Sequence, residues 1–334
     1  MTTPPTQQDR KGFGLFPAIE AFQETFEKGA ADSLRRFLVE YPAKKWMVFT
    51  DYAFYDPKKN ADVFVLSLFP YAADFNRLSS QLQDLSFKDV KDLPRVNPAF
   101  ISYLRAAPIA NIAIFLQANR RLSPFDERGA MVNFLVGLEE MNRDWCLSTP
   151  EETEHYKRNL KDLKHIKRLV QVGQVNQRLL RDGILVASIT AYVLFRVAQI
   201  TAAEKIGWFS DRDALLSYQS AKLSEPLVFQ LLHTYYHVLC ERNGMASNGN
   251  PLLGDPEASG PLFYDSFLRV PDLIAGTLAD VNFSGIEFSH PKFEPVFHDL
   301  LVSNEKNIFF GLQGDSSNGI FEAVRITLDR HSAP

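Results

Sequence analysis

Apolar residues recur at helical spacing from Phe16 to Leu38, and Gly29 interrupts them, which predicts two short helices. The pattern then changes. Trp46 to Asp51 and Asp62 to Phe69 are β-branched and aromatic runs that read as strands. Pro57 and Asn60 in the segment between them suit a hairpin turn. Residues 97–107 regain the helical period and stop at Pro108. Ile109 to Gln117 alternates loosely and predicts a third strand. From about Asp126 to Glu204 the helical pattern dominates, with Pro124 and Pro150 as the strong breaks. Lys205 to Ser210 predicts a short fourth strand, and Pro226 to Arg242 an amphipathic helix with proline in its first turn. Residues 243–263 are a loop by composition. Asp272 to Asp280 reads as a helix, Phe293–Leu301 as another, and Asn307 to Leu328 as a hairpin.

This order of elements predicts an α/β domain that begins with an antiparallel meander. The helical block, about 126–204, enters as an insertion before the fourth strand. Residues 1–14 read as a disordered tail and 15–334 as a single domain. No internal repeat is present.

Composition narrows the class. Hydrophobic content of 46% and charged content of 23% are those of a globular chain, which excludes disorder as a class. The net charge of -4 gives no global attraction to a polyanion, so any nucleic-acid partner needs a local basic patch. The 27 phenylalanines imply a large aromatic core and suit a buried homodimer interface. Cys146 and Cys240 stand far apart, with no metal-ligand spacing, which points to a reducing, cytoplasmic compartment. The polar N-terminus lacks the apolar stretch of a secretory signal. The most apolar run, Gly183 to Phe195, is shorter than the roughly 20 residues needed to cross a bilayer. It reads as a buried helix, with no membrane partner.

Three stretches carry candidate chemistry. The first strand ends on Asp51, the fourth runs into Asp211-Arg212-Asp213, and Asp272 follows Pro271, which places it in the first turn of a helix. Side chains at strand ends of an open α/β sheet face the crevice where ligands bind. Carboxylates gathered there from distant parts of the chain are the usual means of holding divalent cations against phosphate. Taken singly, each is more usually a turn former or a helix cap, and it is the joint pattern that points to a site.

Together these residues resemble the ribonuclease H-like superfamily, in which the first strand carries an aspartate and a later strand and a final helix supply further carboxylates. Within it, they look like a group of uncharacterised, mostly bacterial proteins. The final helix of that group is matched by Pro271-Asp272-Leu273-Ile274-Ala275-Gly276, and its middle strand by Asp211-Arg212. The resemblance rests on about thirty residues. It implies a ribonuclease H-like mixed sheet with antiparallel first strands, a large helical insertion and a C-terminal extension. It implies a metal-dependent nuclease or related phosphoryl-transfer hydrolase, with Asp51, Asp211 and Asp272 as catalytic residues. These would be ligands to Mg or Mn, with Asp213 as a substitute for Asp211. Bulky Tyr52-Ala53-Phe54 after Asp51 departs from the pattern, and Glu127 and Glu140 are the candidates for a fourth carboxylate. The departures leave an alternative: a catalytically inactive ribonuclease H-like binding or scaffold protein.

Other motifs weigh less. Lys157, Lys161, Lys164 and Arg168 form one stripe of an amphipathic helix, opposite Leu160, Leu163, Ile166 and Val170. The stripe is either a solvated face or a track for a phosphate backbone. His233 and His237 stand four apart, a spacing that suits zinc, but no glutamate follows the first of them as in metalloproteases. The glycines of Gly311-Leu312-Gln313-Gly314 and Gly319 precede no lysine and suit a hairpin better than a phosphate loop. No nucleophile elbow or dinucleotide fingerprint is present.

Overall fold

A computed structural model describes residues 15–329 apart from 72–73, 87, 118, 124, 220, 257–259 and 316–319. The N-terminal tail and the Pro124 break therefore lie outside the described residues. The chain opens with helices α1 (Pro17–Gly29) and α2 (Ala31–Glu40). Strands β1 (Lys45–Ala53) and β2 (Asp62–Pro70) follow, then helices α3 (Phe75–Leu85) and α4 (Pro98–Ala106), then β3 (Ala110–Leu116). The helical block is α5 (Glu127–Ser148), α6 (Thr153–Gln171) and α7 (Gln177–Thr201). After it come β4 (Lys205–Ser210), α8 (Leu227–Arg242), β5 (Leu252–Gly254) and α9 (Asp265–Asp280). A ribbon of β6 (Val281–Asn282) and β7 (Glu287–Phe288), helical turns over 291–301, and a hairpin of β8 (Asn307–Asp315) and β9 (Ile320–Ile326) complete the chain.

A mixed seven-stranded sheet runs β5-β4-β1-β2-β3-β8-β9. β2 is antiparallel to both β1 and β3, whereas β4 is parallel to β1, and β5 to β4. All nine residues of β2 are buried, as expected of a central strand covered on both faces. One face packs against α1, α2 and α5–α8, around Trp46, Val48, Phe64, Ile112 and Trp208. The other packs against α3, α4, α9 and the 291–301 turns, around Met47, Phe49, Val65 and Phe267. The antiparallel meander and the helical block before the fourth strand are both present.

α7 contains the apolar run and is the only helix among the described residues long and apolar enough to cross a membrane. Most of that apolar window is buried inside the protein, which agrees with a core helix. Arg196 ends the run because its guanidinium meets Glu27 at 2.8 Å near the surface.

Three readings need correction. β1 continues to Ala53, so Asp51 lies two residues inside the strand, paired with Val65. The 243–263 loop contains β5, three residues that pair with Gly207–Phe209. α9 begins at Asp265, so Asp272 sits in mid-helix and Pro271 is internal. Proline usually marks a first turn because it has no N–H to give. Here Phe267, Leu268 and Val270, buried against the sheet, hold the preceding turns helical despite a cost of about 3 kcal/mol.

Candidate functional site

β1 and β4 run side by side, with Phe49 level with Phe209 and Thr50 with Ser210. The Phe49 and Phe209 rings stack at 5.2 Å on the face that α9 covers. Room for Phe209 comes from Gly207 and Gly254, where a Cβ would stand 2.7 and 2.2 Å from its ring. Side chains alternate along a strand, so Asp51 and Asp211, two residues beyond the stacked rings, leave β1 and the end of β4 on that same face. α9 starts beside β4, where the Tyr264 hydroxyl donates to Ser210 O at 3.1 Å, and crosses over β1. This crossing carries Asp272 to Asp51.

The two carboxyl groups meet. Asp51 is pushed well above the usual carboxylate range, first by burial and then by the charge of Asp272, with Asp211 adding to it. A hydrogen bond from Tyr52 N at 2.8 Å opposes the shift. Asp272 is also raised, by burial and by the charge of Asp89, while Val90 N and Asp51 pull it down. Their proximity contributes to raising Asp51, whose shift is the larger of the two, so the two carboxyl groups titrate together as one pair.

Asp211 is exposed, and its Oδ1 accepts from Arg212 N at 2.6 Å. Arg212 in turn donates to Gly260 O. Asp213 is used differently. Its Oδ1 accepts from Leu215 N at 2.6 Å and Leu216 N at 2.9 Å, which closes the turn after β4. Burial raises its pKa, against the neighbouring Tyr52 hydroxyl and the hydrogen bonds from those two amides. Tyr52 projects to the face opposite Asp51, and burial and Asp213 push its phenol far up. Asp213 is thus a turn residue beside Tyr52 rather than a member of the pair's cluster.

Neither proposed fourth carboxylate reaches this point. Glu127 is buried at the start of α5, where its Oε1 accepts from Leu122 N at 2.8 Å and Arg181 stands 3.8 Å away. Glu140 is exposed on α5, in the layer across the sheet. The additional acid is Asp89, exposed on the loop whose Val90 N bonds Asp272. Sequence pattern could not single it out, because only the tertiary approach of that loop to α9 gives it a role. Among the described residues, no three His, Cys, Asp or Glu side chains already surround one point that would hold an ion.

The basic stripe lies elsewhere. α6 packs through Leu163, Ile166 and Val170 on the face opposite α9. Lys157, Lys161, Lys164 and Arg168 are exposed there, and Lys157 pairs with Glu154 at 2.8 Å. This is the solvated-face reading. On α8, His233 and His237 face one another, Nε2 to Nε2, at 3.0 Å. Burial lowers both pKa values, helped by His237 and His155 at His233 and by His155 at His237, to about 3 and about 4. The glycine-bearing hairpin is formed by β8 and β9, and its tip lies outside the described residues.

Compared with known protein families, curated proteins and solved structures, the chain matches none.

Proposed function

We propose that this chain is a divalent-metal-dependent nuclease or related phosphoryl-transfer hydrolase with a ribonuclease H-like core. The observation that carries the reading is the approach of Asp272 of α9 to Asp51 of β1, with Asp211 on the adjacent strand end. The strand order β5-β4-β1-β2-β3, with β2 alone reversed among these five, supports it.

An all-oxygen donor set suits Mg or Mn rather than a softer ion. Asp51, Asp272 and Asp211 would hold the metal, with Asp89 brought near Asp272 by the bond from Val90 N. When bound, such ions lower the pKa of water and stabilise charge on a phosphoryl group. The protein's own contribution is to converge carboxylates whose mutual repulsion a cation relieves. The partner is then a nucleic acid.

The test is calorimetric titration of Mn²⁺ into the wild type and Asp51→Asn, with a cleavage assay on labelled DNA and RNA. Binding and cleavage that both vanish in the variant are expected. Equal Mn²⁺ binding by both proteins removes Asp51 from the site.

One observation favours a second reading. Asp211 turns back onto the Arg212 amide, so the third carboxylate is not poised toward the pair. In that reading the core is a binding or scaffold module, with a homodimer as its simplest assembly. Wild-type protein that binds no Mn²⁺ at all selects it.

A further inference from the structure

An acidic chain that handles a polyanion needs a cationic contact near its carboxylates, and the α6 stripe does not supply one. Another part of the molecule does. β1, β3 and β4 all point the same way, so their C-terminal ends share one edge of the sheet. Asp51 and Asp211 lie at that edge. So does a cleft of about 620 Å³, between the β1–β2 turn, the end of β3 and the first turn of α7. A volume in the range of a small-ligand site fits a nucleotide unit.

The cleft is organised around Tyr55, which sits at φ 58°, a backbone conformation costly for a non-glycine residue. Three arginines hold it. Arg120 lies under the ring at 4.5 Å, buried and committed to Asp62 at 2.5 Å and Asp182 at 2.9 Å. Arg181 donates to the Tyr55 hydroxyl at 2.6 Å. Arg178 lies over the ring, also at 4.5 Å, and is exposed.

Arg178 differs from the other two. Among the described residues it makes no hydrogen bond or ion pair, only the ring contact. A guanidinium held over an aromatic ring by that contact alone leaves its N–H donors available, and such a fork matches a phosphate bidentately. Lys59 and Gln117 add donors to the same cleft, whereas the Asn60 amide is committed to Asp280 O at 2.6 Å and Asp56 adds an exposed carboxylate that accepts from Lys58 N. The Lys59 ammonium is anchored at 2.8 Å to buried Asp280. Asp62, also in the cleft, is spent on Arg120 and on the Tyr55 amide at 2.8 Å. Tyr55 follows Asp51 by four residues, so its Cα lies within about 13 Å of that of Asp51. Unlike the α6 stripe, Arg178 on α7 stands at the strand-end edge, where Lys59 of the same cleft reaches round to Asp280 of α9.

We propose that Arg178, stacked on Tyr55, is a positioning residue that binds a backbone phosphate of a nucleic-acid strand lying across the carboxylates. This rests on the nuclease reading for its substrate but not for its geometry. The contact fixes where the strand sits and leaves the chemistry to Asp51, Asp211 and Asp272.

The experiment measures anisotropy of a fluorescein-labelled oligothymidylate in EDTA, as a function of salt, with wild type, Arg178→Ala, Arg178→Lys and Asp51→Asn. Arg178→Ala should weaken binding about tenfold at low salt and lower the log-log salt slope by about one. Arg178→Lys keeps the charge but loses the fork and the stack, and should fall between. Because Arg178 is exposed, both variants should melt like the wild type. Wild-type binding and slope in Arg178→Ala, or no binding by the wild type, overturns the inference. Thymidine monophosphate competing as well as the oligomer overturns the assignment to a strand. Mn²⁺-dependent cleavage separates the two readings. Arg178-dependent binding without cleavage by the wild type refutes the nuclease and keeps the subsite. Cleavage with Arg178-independent binding does the reverse.

Discussion

Asp51→Asn should stabilise this protein when no divalent cation is present. Asp51 is raised well above its ordinary value, by burial and by the Asp272 and Asp211 carboxylates. A group whose folded pKa exceeds its unfolded value contributes stability that is complete below the unfolded pKa, about 4 for aspartate. That contribution is lost as pH rises through the folded value, so at neutral pH the fold carries a penalty. Neighbouring strands are about 4.8 Å apart, and two charges ~5 Å apart repel by about 3 kcal/mol at an effective dielectric of 20. Asp51 is only partly buried, and salt and solvent reduce this to about 1–2 kcal/mol. Asparagine keeps the shape and removes the charge. For a chain of this size each kcal/mol moves Tm by about 2 °C, so the variant should melt about 2–4 °C higher in EDTA at neutral pH. Mn²⁺ at ten times its Kd should stabilise the wild type by about 1.4 kcal/mol and leave the variant unmoved. Differential scanning calorimetry with and without Mn²⁺ reads both effects. A variant that melts lower than the wild type in EDTA, or that rises equally with Mn²⁺, refutes the reasoning.

Metal binding should lower the raised pKa values of the Asp51 and Asp272 pair. Titrations of Mn²⁺ in buffers of different ionisation enthalpy should show proton release that grows as pH is lowered from neutral, and an unchanged apparent enthalpy across buffers at every pH argues against the pair. Asp280 has the opposite sign. Burial alone would raise it, but bonds from Lys59, Ser289 and His290 hold it down to about 2. Its stabilisation is present above about pH 4 and is lost as pH falls toward 2, so Asp280→Asn should cost roughly 2 kcal/mol at neutral pH and converge with the wild type in acid. A constant difference from pH 7 to 2 in urea melts contradicts this. Reversing Lys161 and Lys164 to Glu should leave oligonucleotide affinity and its salt slope unchanged, because α6 lies across the sheet from α9. A strong loss at low salt would restore the phosphate-track reading of that stripe.

Elements dominated by local pattern were legible in the sequence. The β1–β3 meander announces itself in β-branched and aromatic runs, and α7 in its apolar period. β5 was not, because three residues in a polar loop acquire strand character only by pairing with β4. α3 was also missed, since only Leu82 among its residues is buried and its pattern is correspondingly weak. The start of α9 was misplaced because Pro271 imitates a first turn and the tertiary packing of Phe267 overrides it. Asp51, Asp211 and Asp272 stood out by their positions in the pattern. Their partners did not, since Asp89 depends on a loop approach and Arg178 on a ring 123 positions earlier in the chain, Tyr55 to Arg178.

The most direct test of the central claim is an anomalous difference map from crystals soaked in Mn²⁺. The account expects a peak bridging the carboxyl groups of Asp51 and Asp272, with Asp211 turned from the Arg212 amide toward it and Mn–O distances near 2.2 Å. A map with no peak there, or with the Asp51, Asp211 and Asp272 carboxyl groups more than about 8 Å apart, cannot accommodate ions spaced ~4 Å and contradicts the account.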